Sequence, residues 1–276
     1  MKNKVNRRKG KGAIAIAAVV AAVALAIGIL LGFEKLREIY LEQCVITDMD
    51  EQIEINSGKM VKSDVIAMEF GLKPGANVAL IDFADKRREI LERIHNLREI
   101  TVIRRLPNRV SIRIEEREPA ARMEIRGRHS YTGKVIDTDG VVFLCARGTR
   151  MLPAIREATV PGTAPGRRPS PRTIAALRLV EKCRDSEFQE LNILEVDTAS
   201  PDYLMLTLGG SYSKVKIAWE KMDEPDSPVS RESLKRQLSM LLKAMRSGVG
   251  EGAVTWNATD FSKPGRIYAD MKGQLK

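Results

Sequence analysis

Histidine and cysteine are close to missing from this chain, with two of the former and three of the latter in 276 residues. His95 and His129 are the only imidazoles, and Cys44, Cys145 and Cys183 stand in no CxxC or Cys/His spacing, so no zinc pattern is present. In an oxidising compartment one cysteine pair could bridge, Cys145 with Cys183 being the better placed in sequence, while three buried free thiols fit the sequence equally well. Acidic residues are missing before Glu34, whereas Lys2, Lys4, Arg7, Arg8, Lys9 and Lys11 all fall in the first twelve positions. Of 46 basic side chains these six leave 40 against 36 acidic ones, so the formal charge of +10 is mostly a property of the N-terminal tail. A nucleic-acid reading of that charge loses its footing.

The next absence is of charge itself. Ala13 to Phe33 is a run of 21 residues with no charged or strongly hydrogen-bonding side chain. As a helix rising 1.5 Å per residue it spans roughly the 30 Å hydrocarbon core of a bilayer. Eleven of these residues are Ile, Val, Leu or Phe, each contributing about −0.3 to −0.6 kcal/mol to insertion. A cleaved signal peptide has a shorter apolar core, of about 7–15 residues, followed by small residues. Here Ala22-Val23-Ala24 and Ala24-Leu25-Ala26 lie inside the apolar run, and Glu34-Lys35-Leu36-Arg37 reads as continuing helix. The expectation is an uncleaved single-pass anchor, its basic tail (1–12) cytoplasmic and everything from residue 34 extracytoplasmic. Gly28 and Gly32 form a GxxxG pair that could pack against another membrane helix, though an Ala/Gly-rich span contains such pairs by composition alone.

Beyond the anchor, residues 34–44 extend the helix as a juxtamembrane linker. Apolar spacing from Val45 to Ile55 predicts a strand, ended by Asn56-Ser57-Gly58. A helix fits Asp64 to Phe70, with Ser63 as its cap and Gly71 as its stop. A second fits Asp85 to Asn96, with Asp85 as cap and Ile90, Leu91 and Ile94 on one face; His95 near its end is expected to be a surface or capping residue. Two strands follow, "ITVIRRL" and "RVSIRIE", joined at Pro107-Asn108.

This order of strand, helix, helix, strand, strand resembles the polypeptide-transport-associated (POTRA) domain, in the version found in the FtsQ/DivIB bacterial cell-division proteins. The stretches carrying the resemblance are "GLKPGANVALID" (Gly71 to Asp82), "VIRRLPNRVSIRI" (Val102 to Ile114), "EREPAA" (Glu116 to Ala121) and "VIDTDGVVF" (Val135 to Phe143). With the anchor, it covers residues 1 to about 153 well and the rest weakly. It implies an α+β fold class: one transmembrane helix (13–33), a POTRA domain of β-α-α-β-β order (45–118), a second β-rich α+β domain (119–271) and a short tail (272–276).

Three stretches mimic chemical sites. In "EEREP", Glu115 and Glu116 point to opposite faces of a strand and cannot converge on one atom, while Pro119 ends the ladder and holds Glu118 extended, so the knot reads as a joint. Asp137 and Asp139 resemble the start of a divalent-cation loop, but Val141, Val142 and Phe143 follow without side-chain oxygens, so a hairpin at Asp139-Gly140 between strands Tyr131–Asp137 and Val141–Leu144 fits better. "GRHSYTGK", Gly127 to Lys134, has five residues between glycines where a P-loop has four, and Val135 where Ser or Thr would bind magnesium.

Further along, a strand is expected at Met123 to Ile125 and a helix from the Ser170 cap and Pro171 to about Cys183. Then come a strand near Leu191 to Val196, a hairpin over Tyr203 to Trp219, a helix from Arg231 to Arg246, and two strands either side of Lys263-Pro264. In the resembled family this last region carries an Asp-Leu-Arg-like motif followed by the edge strand that receives division partners. Asn257-Ala258-Thr259 stands in its place here, a departure that also happens to spell a glycosylation sequon. Arg266, Ile267, Tyr268, Ala269 and Asp270 are the expected receiving edge.

No catalytic residue, cofactor or metal ligand emerges. The resemblance implies a non-catalytic bitopic scaffold of the divisome, binding small coiled-coil membrane proteins resembling FtsB and FtsL at the septum and helping to control cell-wall synthesis. Two other classes stay open: a POTRA-bearing secretion or envelope-assembly factor, for which the chain lacks a series of alternating membrane strands, and an anchored cell-wall enzyme, for which no nucleophile, metal triad or carboxylate pair has local spacing.

Overall fold

A computed structural model of the chain describes residues 6–125, 133–145, 148–157, 164–210, 213–248, 252–262 and 265–271. Its contacts divide into two compact units, one of Met1–Glu89 with Ile100–Ile114 and the other of Ile90–Glu99 with Glu115–Lys276.

The first unit begins with α1 (Asn6–Gln43), a single uninterrupted helix. Its segment Val19–Gln43 is long and apolar enough to cross a membrane, and none of it is buried by the protein. Apolar side chains such as Leu25, Leu30 and Phe33, each about two-thirds exposed, are left uncovered by the described residues, as lipid-facing groups are. The helix ends in a local lock: Asn77 Nδ2 donates to the Leu41 carbonyl at 2.7 Å, and the Val78 amide donates to the Cys44 carbonyl at 2.9 Å.

The strand expected over Val45–Ile55 is shorter. Asp48 Oδ1 accepts the amides of Asp50 and Glu51, which turns the chain into α2 (Met49–Gln52) before β1 (Ile53–Asn56) starts. α3 (Ser63–Phe70) takes Ser63 into its first turn, leaving Lys62 at the cap with no side-chain bond; Gly71 stops it with φ +74°. α4 (Phe83–Arg93) starts two residues before the expected cap, because Asp82 rather than Asp85 accepts the amides of Ala84 and Asp85. β2 (Leu97–Arg105) and β3 (Arg109–Glu116) complete a sheet of order β1-β3-β2, with β1 parallel to β3. β3 alternates cleanly, burying Val110, Ile112 and Ile114.

The second unit is built on nine strands: β4 (Ala121–Ile125), β5 (Lys134–Ile136), β6 (Val142–Leu144), β7 (Ala154–Glu157), β8 (Ile193–Asp197), β9 (Leu204–Leu208), β10 (Lys214–Ile217), β11 (Ala253–Asp260) and β12 (Arg266–Met271). Their order is β12-β11-β10-β9-β8-β7-β4-β5-β6. β7 pairs parallel with β8, and β10 parallel with β11. Parallel neighbours need a crossover, and α5 (Pro171–Lys182) and α6 (Pro228–Arg246) supply one each. Ser170 caps α5 by accepting the Thr173 amide, as its Ser-Pro pair predicts. Ser227-Pro228 does the same for α6 through the Ser230 amide, so that helix begins three residues before the expected Arg231.

Both helices share one core with the sheet: Leu177 and Val180 from α5, Leu234, Leu238 and Leu241 from α6, and Met123, Ile155, Val196, Leu206 and Val215 from the strands. Elsewhere the sheet carries charge, where Arg156 pairs with Glu124 at 3.4 Å and with Glu195 at 2.9 Å across three neighbouring strands. Pattern reading missed β7, whose four residues run apolar, apolar, charged, charged and carry no period-two signal. Of the expected strand Tyr131–Asp137, Tyr131 and Thr132 lie outside the described residues, as do Gly127 to Ser130 of the P-loop-like stretch.

Candidate partner-binding edge

β12 lies at one end of the nine-stranded sheet, with β11 on one side and, among the described residues, no strand on the other. Its position is set by three devices. Gly265 approaches the chain that precedes it so closely that an added Cβ would stand 2.6 Å from the Asp260 carbonyl oxygen, so only glycine passes there. Asp260 Oδ1 accepts both the hydroxyl and the amide of Ser262, bonds that hold its carboxyl below the usual carboxylate range. From α6, the buried Gln237 Nε2 donates to the carbonyls of Ala218, Ala258 and Asp260 at 3.1, 3.2 and 3.1 Å, joining the strand end to the helix.

The register between β11 and β12 slips twice, between Ala253 and Thr255 and between Asn257 and Asp260, each time with one extra residue on β11. The first bulge explains why Ala253 and Trp256, three apart, are both buried while Val254 is turned out. Bulges on the inner strand leave the outer one continuous. Along β12, Ile267 tucks half-buried against the core, while Arg266, Tyr268, Ala269 and Asp270 are exposed, Tyr268 by 53%. Tyr268 stands opposite Asn257 and Ala269 opposite Trp256. Asn257 Oδ1 accepts the Thr259 amide and hydroxyl, at 3.1 and 2.8 Å, and so is engaged within its own strand.

The far end of the sheet is treated differently. β6 is three residues long; the Val142 carbonyl accepts the Gly166 amide at 2.9 Å and the Leu144 carbonyl accepts Asn96 Nδ2 at 2.9 Å. An edge whose carbonyls are already taken makes a poor template for another strand, whereas β12 offers six residues with alternate backbone groups turned outward.

The candidate acid/base residues do not assemble a reacting site. Glu115 pairs with Arg98 at 3.2 Å, Arg98 also reaches Asp139 at 3.1 Å, and Arg117 pairs with the buried Asp137 at 2.6 Å. They line a cleft of about 320 Å³ with Glu116, Glu118 and Arg184, in which three guanidiniums offset part of the charge of five carboxylates. Asp137 Oδ1 accepts the Val141 amide and closes a hairpin. Among the described residues no group of His, Cys, Asp and Glu is placed to hold a metal ion. Cys44, Cys145 and Cys183 are buried and form no disulfide; burial, reinforced by Asp185 and opposed by Lys182, pushes the Cys183 thiol up to about 12, far from a thiolate nucleophile. His95 is half-buried, with its ring so close to Gly166 that an added Cβ would meet it at 2.4 Å; His129 lies outside the described residues. Gly28 and Gly32 sit on α1, where among the described residues nothing outside their own stretch of helix backbone comes within 4 Å of the place a Cβ would take.

Residues 50–117 match the family model described as the POTRA domain, FtsQ-type. No curated protein matches the chain. The FtsQ-type POTRA domain belongs to a non-enzymatic family, and its place behind an apolar N-terminal helix is consistent with the FtsQ/DivIB proteins.

Proposed function

We propose that this chain, an FtsQ-type POTRA protein carried on one membrane helix, is a non-catalytic scaffold of bacterial division that receives partner segments by strand addition at β12. The basic tail lies in the cytoplasm, and the POTRA domain (45–118) and the β domain (119–271) work outside the cell membrane at the septum. The partners are membrane proteins of the FtsB and FtsL kind, and the scaffold helps to set where septal wall synthesis runs.

The observation that carries this reading is the asymmetry of the large sheet: the outward carbonyls at β6 are occupied, and the longer β12 has, among the described residues, no strand on its outer side. An extended segment docking there would gain main-chain bonds, with Tyr268 and the aliphatic parts of its neighbours selecting side chains. Neighbouring residues of an antiparallel edge turn their N–H groups to opposite sides, so of Ile267→Pro and Tyr268→Pro one removes a bond to β11 and the other an outward donor. The outward variant is expected to keep its melting transition and lose partner co-purification. Retention of the partner by both folded variants would place the interface elsewhere.

A further inference from the structure

We propose that the turn between β2 and β3, with Arg104, Arg105, Leu106 and Arg109, docks on anionic phospholipid headgroups beside the membrane helix and so fixes the attitude of the first unit on the bilayer. The turn is held close to the anchor by bonds within that unit. Asn108 Nδ2 donates to the Val45 carbonyl at 3.4 Å, two residues past the end of α1. Val45 forms a β-bridge with Asn77, and Asn77 Nδ2 in turn holds the Leu41 carbonyl. Tyr40 is close enough to Arg104 to feel its charge. Tyr40 stands seven residues beyond Phe33, about 10 Å along the helix, where the headgroup layer of roughly 5–7 Å gives way to water. Charges there lie within a Debye length of about 8 Å from the lipid phosphates.

The composition of the turn fits such a surface. Arg104, Arg105 and Arg109 are exposed, and among the described residues none makes an ion pair. Arg105 and Arg109 close the two strand ends that flank the turn, which gathers like charges where a sheet ordinarily avoids them. Arg104 lies over the Phe83 ring at 5.6 Å, so its guanidinium is held rather than free to sweep. Between the arginines Leu106 is 67% exposed, and Ile103 is 51% exposed. Exposed leucine framed by arginines is the composition of a peripheral membrane contact, in which aliphatic groups enter the interface and cations meet phosphate.

The test uses the full-length chain reconstituted in vesicles of phosphatidylcholine alone or with phosphatidylglycerol. Leu106→Cys carries an environment-sensitive nitrobenzoxadiazole probe, which the three buried native thiols leave as the accessible site of labelling. In the anionic vesicles the probe emission is expected to shift to the blue and to be quenched by headgroup spin-labelled lipid, and high salt should reverse both changes. Each arginine near an anionic surface shifts the contact equilibrium roughly fivefold, so Arg105→Gln with Arg109→Gln should move it about 25-fold toward the free turn. Those two positions leave the Arg104–Phe83 contact intact, and a circular dichroism melt checks the fold of the variant. Equal quenching in neutral and anionic vesicles, no quenching in either, or quenching that survives the double substitution would each overturn the proposal. Partner capture at β12 is read separately, so failure here leaves the strand-addition reading standing.

Discussion

Gln237 on α6 donates from Nε2 to the Ala258 carbonyl of β11 at 3.2 Å, and the same nitrogen serves Ala218 and Asp260. The two hydrogens of a single amide are thus shared among three carbonyls of and beside β10 and β11. Two serines on the same helix do related work: Ser230 Oγ accepts Trp219 Nε1 at 2.8 Å, and Ser233 Oγ accepts the Glu220 amide at 3.0 Å. The buried polar face of α6 is therefore spent on the ends of β10 and β11, while its leucines fill the core.

Gln237→Leu should cost about 1–3 kcal/mol, since the Ala218 and Asp260 carbonyls lose a donor that leucine cannot replace, while the Ala258 carbonyl keeps the Ala218 amide. Urea unfolding followed by the fluorescence of the buried Trp219 and Trp256 should show the midpoint fall. Hydrogen exchange should accelerate at Asp260 to Ser262 before it does elsewhere in the sheet.

Gly265→Ala should destabilise by about 1–3 kcal/mol, because the new methyl meets a backbone carbonyl that cannot move without shifting the strand. A lowered thermal midpoint, with faster exchange confined to β12, is the expected signature. An unchanged melt would show that a methyl at position 265 finds more room than the 2.6 Å left between it and the Asp260 carbonyl oxygen.

Arg178 donates to Asp226 Oδ1 at 2.6 Å, a bond that holds the Asp226 carboxyl below its ordinary value despite some burial. A carboxyl depressed in the folded state stabilises above its unfolded value, near pH 4, and loses that contribution as pH falls through the folded value. With half of the Asp226 side chain exposed, the effect is screened to about 0.3–1 kcal/mol. Asp226→Asn should lower the melting temperature slightly at pH 7, and the gap to the parent chain should close below pH 4.

Cys44, Cys145 and Cys183 should resist alkylation in the folded protein and react fully in denaturant, with no mass difference between reduced and non-reduced samples. Rapid native labelling of Cys183 at pH 8 would contradict its burial and its raised thiol value.

Local chemistry was legible wherever one residue type dictates one conformation. Ser170-Pro171 marked the start of α5, and Gly71 the end of α3, because a cap and a left-handed glycine act within four residues of sequence. The identical Ser227-Pro228 signal at α6 was legible too, but the leucine stripe that begins at Leu234 drew the expected start inward. Asp48 could bend the chain into α2 within a run whose apolar spacing reads as strand, since a side chain bonding its own backbone competes with a ladder that forms only on folding.

The sequence by itself determined the apolar rod, the basic tail before it and the POTRA-type order of elements. These depend on hydrophobicity, turn residues and composition, which are local. Tertiary structure alone decided that β10 lies parallel to β11, that β7 joins β4 to β8, that Asn96 and Gly166 occupy one end of the sheet, and that β12 is left at the other. Strand neighbours are chosen by helices crossing over and by donors arriving from 20 or more residues away. A strand's own residues look alike whether its outer side is covered or open.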